Sequence, residues 1–241
     1  PPPPPPLFFH PHHGKRDSVA SRGLGDVYKR QARGQAGQAR AVNTVGLTQN
    51  RYTVETEEWA IQEGTEASPD HELLATALSA YHLMDQEALR SAEQELKRRV
   101  DADEGGYTEI MANQVSALLH AQMNHADVAV GFFEDAVEII TPMAPPRGSA
   151  NPIKPLFEMY GEILVDLGRH EDAIEQFETS LLRMPNRPRS RLGMARAQNA
   201  TGQMAAASEY YRALLDVWQG RDDLDGVREA EAYLADEQNN N

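Results

Sequence analysis

Apolar residues recur at intervals of three and four through most of the chain beyond residue 72, the spacing of one face of an α-helix. After Lys154, the residues Phe157, Tyr160 and Leu164 form one such stripe, and Ala173, Ile174, Phe177 and Leu181 form a second. Gly168 separates them, where a glycine just past a helix end takes the left-handed cap without strain, and Pro185 closes the second stripe. The pattern predicts two short amphipathic helices joined by a tight turn. Such a hairpin cannot bury its apolar faces alone, so it needs stacked neighbours.

The neighbours are legible on both sides. A second unit opens at Pro188 in the same phase, with Gly202 at the turn, then Ala207 and Tyr211, although Arg191 at its bulky fourth place and Leu214 at its second small place fit less well. Upstream, residues 110–142 supply Ala117, Asn124, Ala129, Phe133 and Ala136, with asparagine in the turn, a residue that tolerates the left-handed conformation. A more degenerate hairpin is predicted over 72–100, from Leu73, Ala77, Ala80, Leu89, Ala92, Leu96 and Val100. The small residues Gly161 with Ala173, and Ala117 with Ala129, are expected where paired helices cross at close range, and a larger side chain there overpacks the crossing. Leu224, Val227, Ala230 and Leu234 predict a closing helix over 222–235, capped by Asp222 or Asp223, with a tail at 237–241. The prolines and glycine of PMAPPRGSA, 142–150, predict a loop that interrupts the tandem spacing.

These spacings resemble the tetratricopeptide repeat, a helix–turn–helix unit of about 34 residues. Counted from Lys154, Phe157 takes the bulky fourth place, Gly161 the small eighth, Gly168 the turn and Ala173 the small twentieth. Aromatic Phe177, small Ser180 and the closing Pro185 follow. The resemblance is firm over 110–221 and suggestive over 72–100. It implies an all-α, right-handed solenoid of stacked antiparallel helix pairs over 70–236, with units at about 72–100, 110–143, 154–187 and 188–221 and a C-terminal capping helix. Such an array implies a scaffold that holds a protein or peptide and does no chemistry.

The resemblance also implies where a partner sits. The second and ninth places of a unit line a concave groove, which here makes Arg189 and Arg196 candidate groove residues, with Glu158 and Glu162 on the matching surface of the neighbouring unit and Leu192, Met111 and Leu118 as apolar additions. Arg183, Arg187, Arg189, Arg191 and Arg196 crowd the junction of the two best units, beside Glu158, Glu162 and Asp166. Two readings are open. Either the arginines pair with these carboxylates as ordinary surface bridges, or Arg189 and Arg196 receive an acidic peptide, since guanidinium forks suit carboxylates. The carboxylate clamp of chaperone-associated repeats uses lysine and asparagine at places that Glu158 and Glu162 take here, so that role is not expected.

The amino-terminal region reads differently. Residues 1–31 combine a proline run, a histidine cluster (His10, His12, His13) and Asp26-Val27-Tyr28-Lys29-Arg30-Gln31, the in-frame translation of a transposon end used in sequencing libraries. They are set apart as a non-native leader, or else as a proline-rich disordered tail. The native chain is then expected to begin near Ala32 as a fragment. Residues 32–69 are read as a helical remnant of upstream repeats: a helix over 36–56, a second short helix at Trp59 and Ile61, and a loop over 64–69.

The formal charge of −14 becomes −17 once residues 1–31, with five Lys/Arg and two Asp/Glu, are set aside. A basic footprint for nucleic acid is therefore not expected, nor is insertion into a membrane. There is no cysteine. No H-E-x-x-H, phosphate-binding glycine loop or G-x-S-x-G is present, and His82, His120, His125 and His170 are scattered, so no cofactor, metal or catalytic residue is expected. The competing expectations are a recruiting region of a larger protein with its catalytic part upstream and, more remotely, a metal-assisted hydrolase built on those histidines.

Overall fold

A computed structural model describes residues 43–62, 68–102 and 105–239. The chain divides into two compact units, 1–45 and 46–241. The first has only residues 43–45 described, and they are helical. The proposed leader, its histidine cluster, the stretch 36–42 and the loop residues 63–67 lie outside the described residues.

The described residues are helical, with turns and coil between the helices. The second unit opens with α1, residues 46–56 of a helix described from 43. Then follow α2 (Asp70–His82), α3 (Gln86–Asp101), α4 (Tyr107–Gln122), α5 (Ala126–Ile140), α6 (Leu156–Asp166), α7 (His170–Arg183), α8 (Pro188–Ala200), α9 (Met204–Val217) and α10 (Asp225–Asn239). Helices α2 to α9 form four antiparallel hairpins, and the first helices of successive hairpins, α2, α4, α6 and α8, pack side by side. The second unit is thus a helical repeat solenoid, closed by α10 packed on α9.

The turns obey one rule. Met84, Asn124, Gly168 and Gly202 all have positive φ, between 59° and 78°, at the same place in the four hairpins. Each closes its first helix with an N–H bond back to a carbonyl, such as Gly168 to Val165 at 2.9 Å and Asn124 to Ala121 at 3.0 Å. The second helices alternate cleanly between an apolar inner stripe and a charged outer face. The first helices are buried nearly all round, as expected of elements with neighbours on both sides.

Small residues act where the ring of Phe177 needs room. That ring is fully buried, and a Cβ built on Gly161 would lie 2.7 Å from it, while one on Gly193 would lie 2.2 Å away. The ring of α7 is therefore wedged between the backbones of α6 and α8. The close approach expected between Gly161 and Ala173 is in this respect a contact of Gly161 with Phe177, and Gly193 is its unforeseen counterpart. Ala129, Phe133, Ala136, Ala173, Ala207 and Tyr211 are all buried.

Two boundaries differ from the sequence expectations. Helix α10 begins at Asp225 and runs to Asn239, so residues 237–239 continue a helix where a tail was expected. Here Glu237 accepts from Ser208 at 2.7 Å and from Arg212 at 2.8 Å, which holds that last turn on α9. No short helix forms at Trp59 and Ile61. Glu57 turns to positive φ, Trp59 stacks on His82 with ring centroids 4.2 Å apart, and the Ala60 N–H donates to Ser79 Oγ at 3.3 Å, so α2 satisfies the extended strand of chain.

Candidate functional site

The first helices present one continuous face, and its middle is charged and buried. Glu158 of α6 is fully buried, yet all its needs are met. Arg187 donates to it from Nε and Nη2, both at 2.8 Å, Ser190 Oγ donates at 2.8 Å, and Lys154 Nζ lies 3.1 Å away. Burial alone would raise its pKa, but Lys154 and Arg187 outweigh that and hold the Glu158 carboxyl well below the usual range. Lys154 is itself buried, which opposes its charge, but Glu158 and Glu162 raise it above the ordinary lysine value. Its Nζ reaches Glu162 Oε1 at 2.6 Å. Ser180 and Ser190, 2.8 Å apart, carry the network on to α7.

Local sequence explains why these groups meet. Pro155 precedes α6 and Pro188 opens α8, which fixes where both first helices begin. Lys154, Glu158 and Glu162 then lie four residues apart on one face, and Arg187 stands just before α8. Gln114 of α4 extends the row by donating to the Lys154 carbonyl at 3.1 Å, while its Oε1 is buried without a partner.

Helix α1 lies on this face. Glu55 pairs with Arg187 through its carboxylate, and its carbonyl accepts from Arg189 Nε at 3.1 Å and Nη2 at 2.6 Å. Glu57 pairs with Arg189 Nη1 at 2.7 Å. The guanidinium of Arg189 is also stacked over the Trp218 ring, 5.5 Å from its centroid. Nearer the start of α1, Asn50 bonds His71 of α2 at 2.9 Å and Arg51 donates to the Ala150 carbonyl at 3.0 Å. Val54 is 1 % exposed and belongs to the same core as Met111 and Leu118.

The candidate residues therefore divide. Arg189 and Glu158 converge on the network, with Glu162 joined to it through Lys154. Leu192 is 2 % exposed and packs with Ala230 and Leu234 of α10. Arg196 is drawn away from Arg189 to the same helix, where its Nη2 meets Glu229 at 2.6 Å and Glu229 also accepts from Tyr211 at 2.8 Å. Met111 and Leu118 are inside the core. Arg183 donates to the Met143 carbonyl at 3.0 Å and Arg191 to the Ala213 carbonyl at 2.6 Å, so both tie loops and helix ends together. Sequence reasoning missed Lys154 and the acidic tip Glu55–Glu57. The four-residue spacing of Lys154, Glu158 and Glu162 was the one local signal for the first.

Among the described residues the histidines lie apart from this network, save His82 under Trp59 and His71 beside Asn50. His120 and His125 face each other across their turn, with Nδ1 atoms 3.4 Å apart, and His120 stacks on Phe132. Among the described residues no three or more His, Asp or Glu side chains converge as metal ligands, and no helix is long and apolar enough to cross a membrane.

Comparison with known proteins adds the family. The tetratricopeptide repeat model matches residues 164–223, which run from the end of α6 through α9. No curated protein matches the chain. Among solved structures, the C-terminal part of a TPR repeat-containing protein from Cytophaga hutchinsonii is similar, at 17% identity over 81% of this chain and 86% of that one, with a TM-score of 0.30. The four hairpins, matched by the tetratricopeptide repeat model over residues 164–223, make the described helices a tetratricopeptide-repeat-like solenoid.

Proposed function

We propose that this protein is a scaffold that holds a protein or peptide on the face shared by α2, α4, α6 and α8, with no catalytic step of its own. One observation carries the reading. Charged side chains of that face, Arg187 and Arg189, turn toward the carboxylates and carbonyl of a crossing helix, in the manner of a peptide receptor. The buried ions of the network are matched to one another, Glu158 between Lys154 and Arg187 and Glu162 on Lys154, which suits recognition.

The proposed binding residues are Arg189, Glu158 and Glu162, with Leu192 and Arg196 at the margin that α10 covers. The formal charge of −14 supports a protein or peptide partner over nucleic acid, whose phosphates demand a basic footprint. The test is selection of displayed peptides on the purified chain, followed by calorimetry of the winners. Peptides that bind the wild-type chain and fail on an Arg187→Glu, Arg189→Glu chain support the scaffold and its face. Absence of any saturable binder contradicts it.

A further inference from the structure

The face of the first helices already has an occupant, a segment of the same chain. We propose that this face is a receptor for the acidic C-terminal turn of an amphipathic helix, that residues 46–59 fill it in cis, and that a partner protein presenting a helix of the same chemistry displaces them. The proposal rests on the scaffold reading and specifies its partner.

The geometry of Arg189 is the first ground. Among the described residues its hydrogen-bond and ion-pair partners are the Glu55 carbonyl and the Glu57 carboxylate. The carbonyl belongs to the last turn of α1, where unsatisfied carbonyls carry partial negative charge, so one guanidinium reads a helix end and an acid together. Glu57 holds a positive φ of 60°, unusual for a residue with a side chain, while bound there. With the tip removed, Arg189 keeps the Trp218 ring and the nearby charge of Glu162 but no hydrogen-bonded acid, and Arg187 keeps Glu158. The receptor then has a cation in want of an acid.

The second ground is how lightly α1 is held. Leu47, Asn50 and Val54 face the array at the spacing of helix-in-groove anchors, but of the apolar two only Val54 is fully buried. By contrast α4 buries Ile110, Met111, Val115, Leu118 and Leu119. The other ties of α1 are polar: Asn50 to His71, Arg51 to the Ala150 carbonyl, Glu55 to Arg187. An element with few buried apolar contacts opens locally without unfolding what it covers. Residues 46–62 carry Glu55, Glu57 and Glu58 against Arg51, so the occupant is acidic where the receptor is basic.

The test uses the full chain and a labelled synthetic peptide of residues 46–62, read by fluorescence anisotropy. Glu55→Lys with Glu57→Lys in the chain reverses the tip, at side chains 33% and 40% exposed, without touching the array. This released chain is expected to bind the peptide at least tenfold more tightly than the wild-type chain, whose own segment competes. Adding Arg189→Glu should abolish binding, and a peptide carrying the same two lysines should not bind. Val54→Asp serves as a second, independent release should the first variant lose helical circular dichroism. A folded, released chain that ignores the peptide overturns the proposal, as does equal binding by wild-type and released chains. A concentration-dependent dimer by light scattering, with α1 still protected from exchange, makes the occupant a second copy and overturns occupancy in cis. A displayed peptide that binds wild-type and Arg189→Glu chains equally overturns this receptor and leaves the scaffold reading standing.

Discussion

Gly193→Ala puts the packing argument at most risk, because two ordinary effects oppose each other there. Gly193 lies inside α8, where alanine is the better helix former by about 1 kcal/mol. Propensity alone therefore says that the change stabilises. Packing says the reverse. The new methyl would lie 2.2 Å from Phe177 Cζ, 2.4 Å from Cε1 and 2.8 Å from Cε2, against at least 3.4 Å for ordinary contact. The ring cannot retreat, since the α6 backbone at Gly161 stands on its other side with a Cβ distance of 2.7 Å. Overpacking of a dense core costs about 1–3 kcal/mol, and a clash of this depth belongs at the upper end. Subtracting the propensity gain leaves a net loss of about 2 kcal/mol. The assay is urea denaturation followed by circular dichroism, comparing variants at constant m-value. The Phe177→Leu background supplies the control, since removal of the ring should make Gly193→Ala neutral or stabilising. A wild-type background that tolerates Gly193→Ala, or equal effects in both backgrounds, would refute the wedge.

Other consequences follow from the same structure. Glu158→Ala leaves Lys154 and Arg187 as buried cations without their shared acid and should cost about 3–5 kcal/mol in the same denaturation assay, with Glu158→Gln milder because it still accepts hydrogen bonds. Met84→Gly should stabilise by about 0.5–1 kcal/mol, since Met84 is 70% exposed and holds a φ of 59° that glycine adopts freely; Asn124→Gly should gain less. Burial beside Trp59 pushes His82 down to about 4, against the opposing pull of Glu57 and with help from Lys154 and Arg189. A histidine depressed in the closed state contributes stability above its free value of about 6.5 and loses it as pH falls toward 4. In a Trp218→Phe chain, which keeps Trp59 as the single tryptophan, fluorescence should report that loss between those limits.

The hairpins were legible because their signals are local. Periodicity gave the helices, and the turn residues Asn124, Gly168 and Gly202 marked positions that need positive φ. Met84 carried no such signal, and the hairpin it closes was the one with the poorest motif agreement. The small residue at 161 was legible as a close approach, but its contact was not, since the ring it admits comes from sixteen residues further along the chain at Phe177. The site was harder. Carboxylates on helices are solvated by default, so nothing within α6 marks Glu158 as buried; its burial depends on Arg187 and Ser190, twenty-nine and thirty-two residues away. Arg189 was recognisable as a receiver of acid, but the Glu55 carbonyl it binds lies 134 residues upstream, with Glu57 beside it, beyond any periodic pattern. Arg196 meets Glu229 of α10, thirty-three residues away, a partner that no local spacing marks.

In the proposed arrangement α1 is a ligand of the array and not one of its supports. Hydrogen exchange of the wild-type chain, resolved to single amides by NMR, tests it most directly. Amides of residues 50–56 are expected to exchange through a local opening at least tenfold faster than those in the middle of α4, α6 and α8, and Glu57→Lys should speed them further while leaving the array unchanged. Exchange of α1 at the rate of α4, α6 and α8, slowing and quickening with them under denaturant, would contradict it and make the helix a fixed part of the fold.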